Sequence, residues 1–256
     1  LLLVDFPGEA AFLMSKIWFT MSSSGILLLL ILFCFGYAVY IIVRQKNISE
    51  MKTDFINNMT HEFKTPIATI GLAIEALQDQ DISQQKAMQA RYLGMIGDEN
   101  KRLGSQVEKV LQMAIIDRKE LSLNLKEIDM HALIERAIGK MSIQIENKSG
   151  DLHLALYAEK IHIMGDETHL MNVILNLLDN AIKYSEDAPN ITIRTQSTYN
   201  EFIFSVKDHG IGMSKEAQRQ IFQQFYRVPT GDLHNVKGFG LGLSYVKNII
   251  EELKGK

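Results

Sequence analysis

The run Phe55-Ile56-Asn57-Asn58-Met59-Thr60-His61-Glu62-Phe63-Lys64-Thr65-Pro66 decides how this sequence is read. It lies within Asn47–Gln78, where Ile48, Met51, Phe55, Met59, Phe63, Ile70, Ile74 and Leu77 recur at helical spacing. At about 100° per residue these side chains fall in one stripe. His61 stands roughly 160° from the centre of that stripe, so its imidazole is expected in solvent. Glu62 is adjacent and can orient the ring or take its proton, and an imidazole that is largely neutral near pH 7 is a nucleophile. Thr65 lies about 40° round the helix from His61, where a hydroxyl can position a water. Pro66 lacks an N–H and is expected to bend the helix just past the histidine. A zinc-protease reading fails, because it needs a second histidine where Thr65 stands. An exposed histidine alone is an ordinary surface group; its neighbours make this one a candidate phosphoryl acceptor.

Downstream, the polar break Gln80–Gln85 leads into a second helical pattern that reaches Ile116 through Met88, Tyr92, Ile96, Leu103, Val107, Val110 and Ala114. Two helices with one apolar stripe each cannot enclose a core. The hairpin is therefore expected to pair with a second copy as a four-helix bundle, making a homodimer. Upstream, Ile17–Val43 is 27 consecutive residues without a charge. A bilayer core needs roughly 20 apolar residues, so a transmembrane helix is expected there. A signal peptide would have a shorter core behind basic residues, whereas Asp5 and Glu9 stand in front of this one. Trp18, Tyr37 and Tyr40 lie toward its ends, and Arg44, Lys46 and Lys52 follow it against Lys16 alone before it. That bias places the C-terminal side in the cytoplasm.

The chain has 256 residues, 46% of them apolar, and a formal net charge of −3. It is too long for one small domain and too apolar to be disordered. The slight acidity argues against nucleic acid as a partner. Cys34 is the only cysteine, which excludes an intrachain disulfide and a multi-cysteine zinc site. The expected division is residues 1–16 as the end of an extracytoplasmic region, 17–43 as the transmembrane helix, 44–118 as the hairpin and 119–256 as a mixed α/β part. Because it opens on Leu1, the chain is expected to be a fragment of a longer product.

In the α/β part, Gly165-Asp166 offers an N-cap for a helix from Glu167 to about Tyr184. On that helix Asn176, Asn180 and Lys183 share one face, turned about 120° from the stripe of Leu170, Ile174, Leu177 and Ala181. Such a row can bind Mg²⁺ and phosphate oxygens, or can be a plain solvated face. Ile191–Thr195 and Phe202–Lys207 alternate around Tyr199-Asn200-Glu201 and read as a hairpin. Asp208-His209-Gly210-Ile211-Gly212 follows; its carboxylate can accept from an exocyclic amine, and its glycines admit a flat base. Gly238-Phe239-Gly240-Leu241-Gly242-Leu243 then opens a helix through Glu252, where unhindered N–H groups favour phosphate. Either glycine motif alone is also explained by a tight turn.

The run around His61 resembles the H-box of the sensor histidine kinases of bacterial two-component systems, with Phe63 in place of the commonest leucine. The later motifs, in this order and spacing, resemble the N, G1, F and G2 boxes of their catalytic domain, with Phe222-Gln223-Gln224-Phe225-Tyr226-Arg227 as the F box. The resemblance covers residues 47–256. It implies a dimerisation and phosphoacceptor hairpin followed by a Bergerat-type α/β sandwich, with a mobile ATP lid from about Met213 to Lys237. It also implies that Asn180 ligates Mg²⁺, that Asn176 and Lys183 assist at the phosphates, and that Tyr184 packs near the nucleotide. Asp208 would bind the adenine amine beside Gly210 and Gly212, and Gly238, Gly240 and Gly242 would serve the lid hinge and phosphates. Arg227 is a weaker candidate.

The related gyrase-type ATPases carry a glutamate at the position of Asn176. An amide cannot be a general base, so the γ-phosphoryl needs an acceptor other than water, and His61 supplies it. The implied activity is ATP-dependent phosphorylation of His61, with Glu62 as acid/base partner, then transfer to an aspartate of a response regulator. Thr65 would support the reverse dephosphorylation. The alternatives are a degenerate kinase acting as phosphatase or scaffold, and a gyrase-like ATPase. The 17 residues between Val43 and His61 are too few for a HAMP relay, so the membrane helix is expected to run directly into the hairpin. Lys254-Gly255-Lys256 closes the chain where the family continues with another glycine motif and closing strands.

Overall fold

The first helix, α1 (Glu9–Gln78), runs on through Gly25, Gly36 and Pro66, although Pro66 has no N–H to bond the preceding turn, and it covers both helices expected there. It belongs to a computed structural model in which residues 9–79, 82, 85–117, 122–228 and 239–256 are described. The chain divides into two units, Leu1–Thr53 and Asp54–Lys256.

In the first unit the apolar side chains of α1 stand in the open, with Trp18 75% and Leu29 67% exposed. This stretch is long and apolar enough to cross a membrane. Several of its hydroxyls bond back within the helix. Thr20 donates to the carbonyls of Lys16 and Ile17, Ser22 to Trp18 and Ser23 to Thr20, at 2.8–3.1 Å. Such back-bonding lets a polar side chain sit on a helix that meets no water.

In the second unit the rest of α1 is joined to α2 (Lys86–Asp117) through Glu62, which meets Arg102 and Gln106. Pro66 and Ala73 are buried, and the helix continues through Pro66 for three further turns. Much of this hairpin's apolar surface stays uncovered, including Ile67, Leu72, Ile74, Leu93, Val107 and Leu111.

The α/β part supplies its own core. Its elements are β1 (Lys126–Asp129), α3 (Met130–Asn147), β2 (Asp151–Leu156), β3 (His162–Gly165), α4 (Glu167–Lys183), β4 (Asn190–Ser197), β5 (Phe202–Lys207), α5 (Lys215–Gln218) and α6 (Gly242–Glu252). β2 runs parallel to β4, β4 antiparallel to β5, and β1 pairs with β3 in a separate antiparallel ribbon. Ile191 and Ile193 point from one face of β4 into a core with Leu133, Ile134 and Ala137 of α3 and Leu170, Ile174 and Leu178 of α4. Helices on one face of a sheet make the expected α/β sandwich. The β4–β5 hairpin turns where Thr198 N donates to Glu201 O at 2.9 Å.

Both core helices start at an aspartate. Asp129 accepts from Ala132 N at 3.1 Å, and Asp166 accepts from Thr168 N at 2.9 Å and His169 N at 3.1 Å. Asp166 also takes Asn124 N at 2.9 Å, tying the segment before β1 to the head of α4. Burial pushes the Asp166 carboxyl up, but these N–H groups and the nearby His169 outweigh it and hold it below the usual carboxylate range.

Candidate functional site

His61 is exposed on α1. The Thr65 hydroxyl donates to the His61 carbonyl at 3.3 Å, one turn on. Glu62 faces α2, where its Oε2 accepts from Arg102 Nη2 and Gln106 Nε2, each at 3.4 Å. Arg102 also pairs with Glu99 at 3.6 Å, so the carboxylate beside the histidine is steered by a small charged network between the two helices. Sequence reasoning missed Arg102 and Gln106; their reach to Glu62 exists only once the hairpin is closed.

The second group of side chains is organised by α4. Asn176 Nδ2 donates to Asn172 O at 2.8 Å, which turns its Oδ1 away from the helix. That oxygen meets α6: a Cβ added at Gly242 would lie 2.9 Å from Asn176 Oδ1 and 3.9 Å from Asn180 Nδ2. Only glycine lets the head of α6 approach the amide row this closely. The N-cap residue of α6, Leu241, makes no side-chain cap bond, so the first-turn N–H groups beside Asn176 can receive an anion.

At the other end of α4, Tyr184 O accepts from Ile211 N at 3.1 Å, and a Cβ at Gly210 would come within 2.5 Å of that same oxygen. Asp208 Oδ1 accepts from Gly210 N at 2.9 Å, fixing the turn, and Gly212 continues it with φ +69°. Lys183 Nζ lies 5.3 Å from the centre of the Tyr184 ring. Burial raises the Tyr184 phenol, the Arg227 cation pulls it back, and Asp179 adds to the rise, so Arg227 belongs to this neighbourhood. Gly240 has φ +70° and passes 2.9 Å (from its missing Cβ) from Tyr226 O, joining the head of α6 to the Phe222–Arg227 segment. The fold thus gathers Asn176, Asn180, Lys183, Tyr184, Asp208, Gly210, Gly240 and Gly242 around α4. Gly238 and residues 229–237 of the expected lid lie outside the described residues.

Aromatic packing links this group to α1. Phe225 packs on Phe55 with ring centres 4.6 Å apart and planes tilted by 47°, and Phe239 lies 6.2 Å from both Phe55 and Phe63. Met59 and Leu241 complete the cluster. Phe225 holds φ +65°, a conformation that costs a non-glycine residue about 1–2 kcal/mol and that this packing supports. Three residues read from the sequence as part of the hairpin's apolar stripe are instead covered by the loop segments that flank α5 and α6.

The donor set suits a magnesium nucleotide. Among the described residues no three or more His, Cys, Asp or Glu side chains gather in a metal cluster, so a cation has no carboxylate cage. The amide oxygens of Asn176 and Asn180 are hard neutral ligands, and Mg²⁺ held by one of them takes its other ligands from phosphates and water.

Two family profiles match the chain. Residues 51–119 match the His Kinase A (phospho-acceptor) domain, and residues 165–256 match the histidine kinase-, DNA gyrase B-, and HSP90-like ATPase. Sensor protein RprX of Bacteroides fragilis is 45% identical over 254 residues, which are 98% of this chain and 49% of that protein. Sensor protein SrrB of Staphylococcus aureus is 33% identical over 214 residues, 82% of this chain and 36% of that one. The chain thus spans half or less of the length of these relatives. Among solved structures, histidine kinase AdeS of Acinetobacter baumannii shares the fold with a TM-score of 0.54 at 22% identity, over 75% of this chain and 86% of its own. Histidine kinase ThkA in complex with response regulator protein TrrA gives a TM-score of 0.54 at 23% identity, over 79% of this chain and 55% of that one. With a phospho-acceptor domain that carries the exposed His61 and an ATPase domain that carries the glycine-bordered amide row, the chain belongs to the sensor histidine kinases of two-component systems.

Proposed function

We propose that this chain is the phosphoacceptor and ATP-binding part of a membrane-anchored sensor kinase that works as a homodimer. Mg·ATP binds between α4 and the head of α6, beside Phe222–Arg227. Asn180 ligates the cation, which draws charge from the phosphates; Asn176, Lys183 and the first-turn N–H groups of α6 hold phosphate oxygens. Asp208 accepts from the adenine amine beside Gly210 and Gly212, and Tyr184 packs near the base. A ring nitrogen of His61 then attacks the γ-phosphorus with its lone pair, the bond to the β-phosphate oxygen breaks, and ADP leaves. The proton released from the other ring nitrogen passes to Glu62. Arg102 and Gln106 occupy Oε2 of that carboxylate, so Oε1 is the oxygen that takes it.

The observation that carries this reading is the aromatic cluster. Phe55 and Phe63 bracket His61 on α1 and pack against Phe225 and Phe239, beside the head of α6. Asn176, in place of a carboxylate, leaves water without a general base, so the phosphoryl group goes to the imidazole. From the N–P bond it passes to an aspartate of a receiver protein; the ThkA–TrrA complex supports a partner of that kind. Thr65, exposed one turn from His61, positions water for the reverse dephosphorylation. The uncovered Ile67, Leu72, Leu93 and Leu111 support pairing with a second copy. Ile17–Val43 anchors the chain in the inner membrane with its C-terminal part in the cytoplasm.

Incubation with radiolabelled ATP and Mg²⁺ is expected to give a label that is lost in acid and survives base. His61→Gln is expected to abolish that label while a fluorescent ATP analogue still binds. A persisting label would overturn the assignment.

A further inference from the structure

The head of α6 lies close against the amide row of α4: a Cβ added at Gly242 would come within 2.9 Å of Asn176 Oδ1. Its apolar contacts to α4 come from Tyr245, Val246 and Ile249 against Val173 and Leu177. Apolar contact is non-directional and tolerates sliding of one helix along the other. A hydrogen bond does not. One such bond joins the two helices: Tyr245 Oη lies 2.8 Å from His169 Nδ1, with the rings 6.2 Å apart. Tyr245 is only 4% exposed, and its hydroxyl also engages the Asn172 side chain. The backbone carbonyl of Asn172 is the acceptor that orients the Asn176 amide. Tyr245 sits one turn after Gly242, and its N–H donates to Leu241 O at 3.0 Å, so its position is passed directly to the head of α6.

We propose that Tyr245, clamped by His169 and Asn172, is a positioning residue that sets the register of α6 on α4 and thereby the spacing between Gly242 and the Asn176–Asn180 row where the nucleotide phosphates bind. The proposal rests on the nucleotide reading given above. Neither Tyr245 nor His169 is among the residues assigned above to the nucleotide. Tyr245 acts through the placement of the α6 head, and His169 acts by holding Tyr245.

The test uses the whole chain in lipid nanodiscs, with a fluorescent ATP analogue titrated in the presence of Mg²⁺ and, in parallel, initial labelling rates against ATP concentration. Tyr245→Phe keeps the ring and loses the hydroxyl. It is expected to weaken analogue binding and raise KM for ATP about 3- to 10-fold, the range of one intramolecular hydrogen bond, with kcat changed less than twofold. His169→Asn keeps a nitrogen near the place of Nδ1 and is expected to bind like the unaltered chain, whereas His169→Leu matches Tyr245→Phe. The Tyr245→Phe, His169→Leu double variant is expected to be no worse than either single change. Unchanged affinity in Tyr245→Phe, or equal behaviour of His169→Asn and His169→Leu, would overturn the inference and leave the nucleotide reading intact. Absence of binding by the unaltered chain would remove both.

Discussion

The hairpin of residues 54–117 and the α/β part of residues 122–256 solve the burial problem in opposite ways. In the α/β part Leu133, Ile134, Ile174, Leu178, Ile191 and Ile193 are shut away completely by neighbours from the same chain. In the hairpin, Leu72 is 67% exposed and Ile67 59%, and the closed positions are few. One region buries its apolar side chains within the chain, and the other leaves much of its apolar surface exposed. The charged network of Glu62, Arg102 and Glu99 runs through the hairpin, where part-exposed ion pairs add little stability but hold side chains in place.

A pair of cavity-making substitutions would break this contrast most sharply. Ile174→Ala is expected to cost about 2–5 kcal/mol in the α/β part, because a fully buried side chain loses both transfer energy and packing. Leu72→Ala is expected to change the folding of one chain by no more than about 0.5 kcal/mol, and to act instead on self-association. Chemical denaturation with sedimentation at several concentrations separates the two, and equal losses of folding stability would dissolve the distinction.

A smaller effect is expected where the two regions meet. Phe239→Ala removes two ring contacts, each aromatic pair being worth about 0.5–1.5 kcal/mol beyond its area. Hydrogen exchange is expected to quicken several-fold in residues 55–63 and 239–242 while the core strands β4 and β5 keep their protection. Faster exchange in β4 as well would mean that the cluster belongs to the core.

The smallest effect is acid-dependent and confined to the α/β part. The Asp166 carboxyl is held below its ordinary value of 3.8 in the folded chain, so the unfolded chain binds its proton first as pH falls. Its contribution is therefore complete above the ordinary value and is lost as pH drops through the lowered one. Against Asp166→Ala, the unaltered chain is expected to hold a stability advantage of about 0.5–2 kcal/mol near neutral pH, which shrinks in circular-dichroism melts as pH falls from the ordinary carboxylate value through the lowered one. An advantage that grows on acidification would contradict the capping role.

Several elements were legible because their signals are local. The Asp166 cap, the α4 stripe and the β4–β5 alternation each sit within a few residues; the structure matches α4 and β5 to within one residue and extends β4 to Asn190–Ser197. Strands β1 and β3 were not foreseen. Each has four residues and exists only by pairing with the other across more than thirty positions of chain. β2 was also missed, since its parallel partner β4 arrives much later and its exposed face dilutes any alternation. Helix α3 carried a readable signal, an aspartate cap followed by Leu133, Ile134, Ala137 and Met141, and went unassigned for want of a motif to draw attention to it.

By itself the sequence determined the apolar span, the outward imidazole of His61 and the amide row of α4, because one turn of helix fixes which face a side chain occupies. Only the tertiary structure decided that Phe55 and Phe63 would be covered by Phe225 and Phe239, that Glu62 would lean on Arg102, and that Tyr245 would lock onto His169. Each of these joins residues 40 or more positions apart. Periodicity says that a face is apolar or polar, but which distant surface covers it depends on how the whole chain closes.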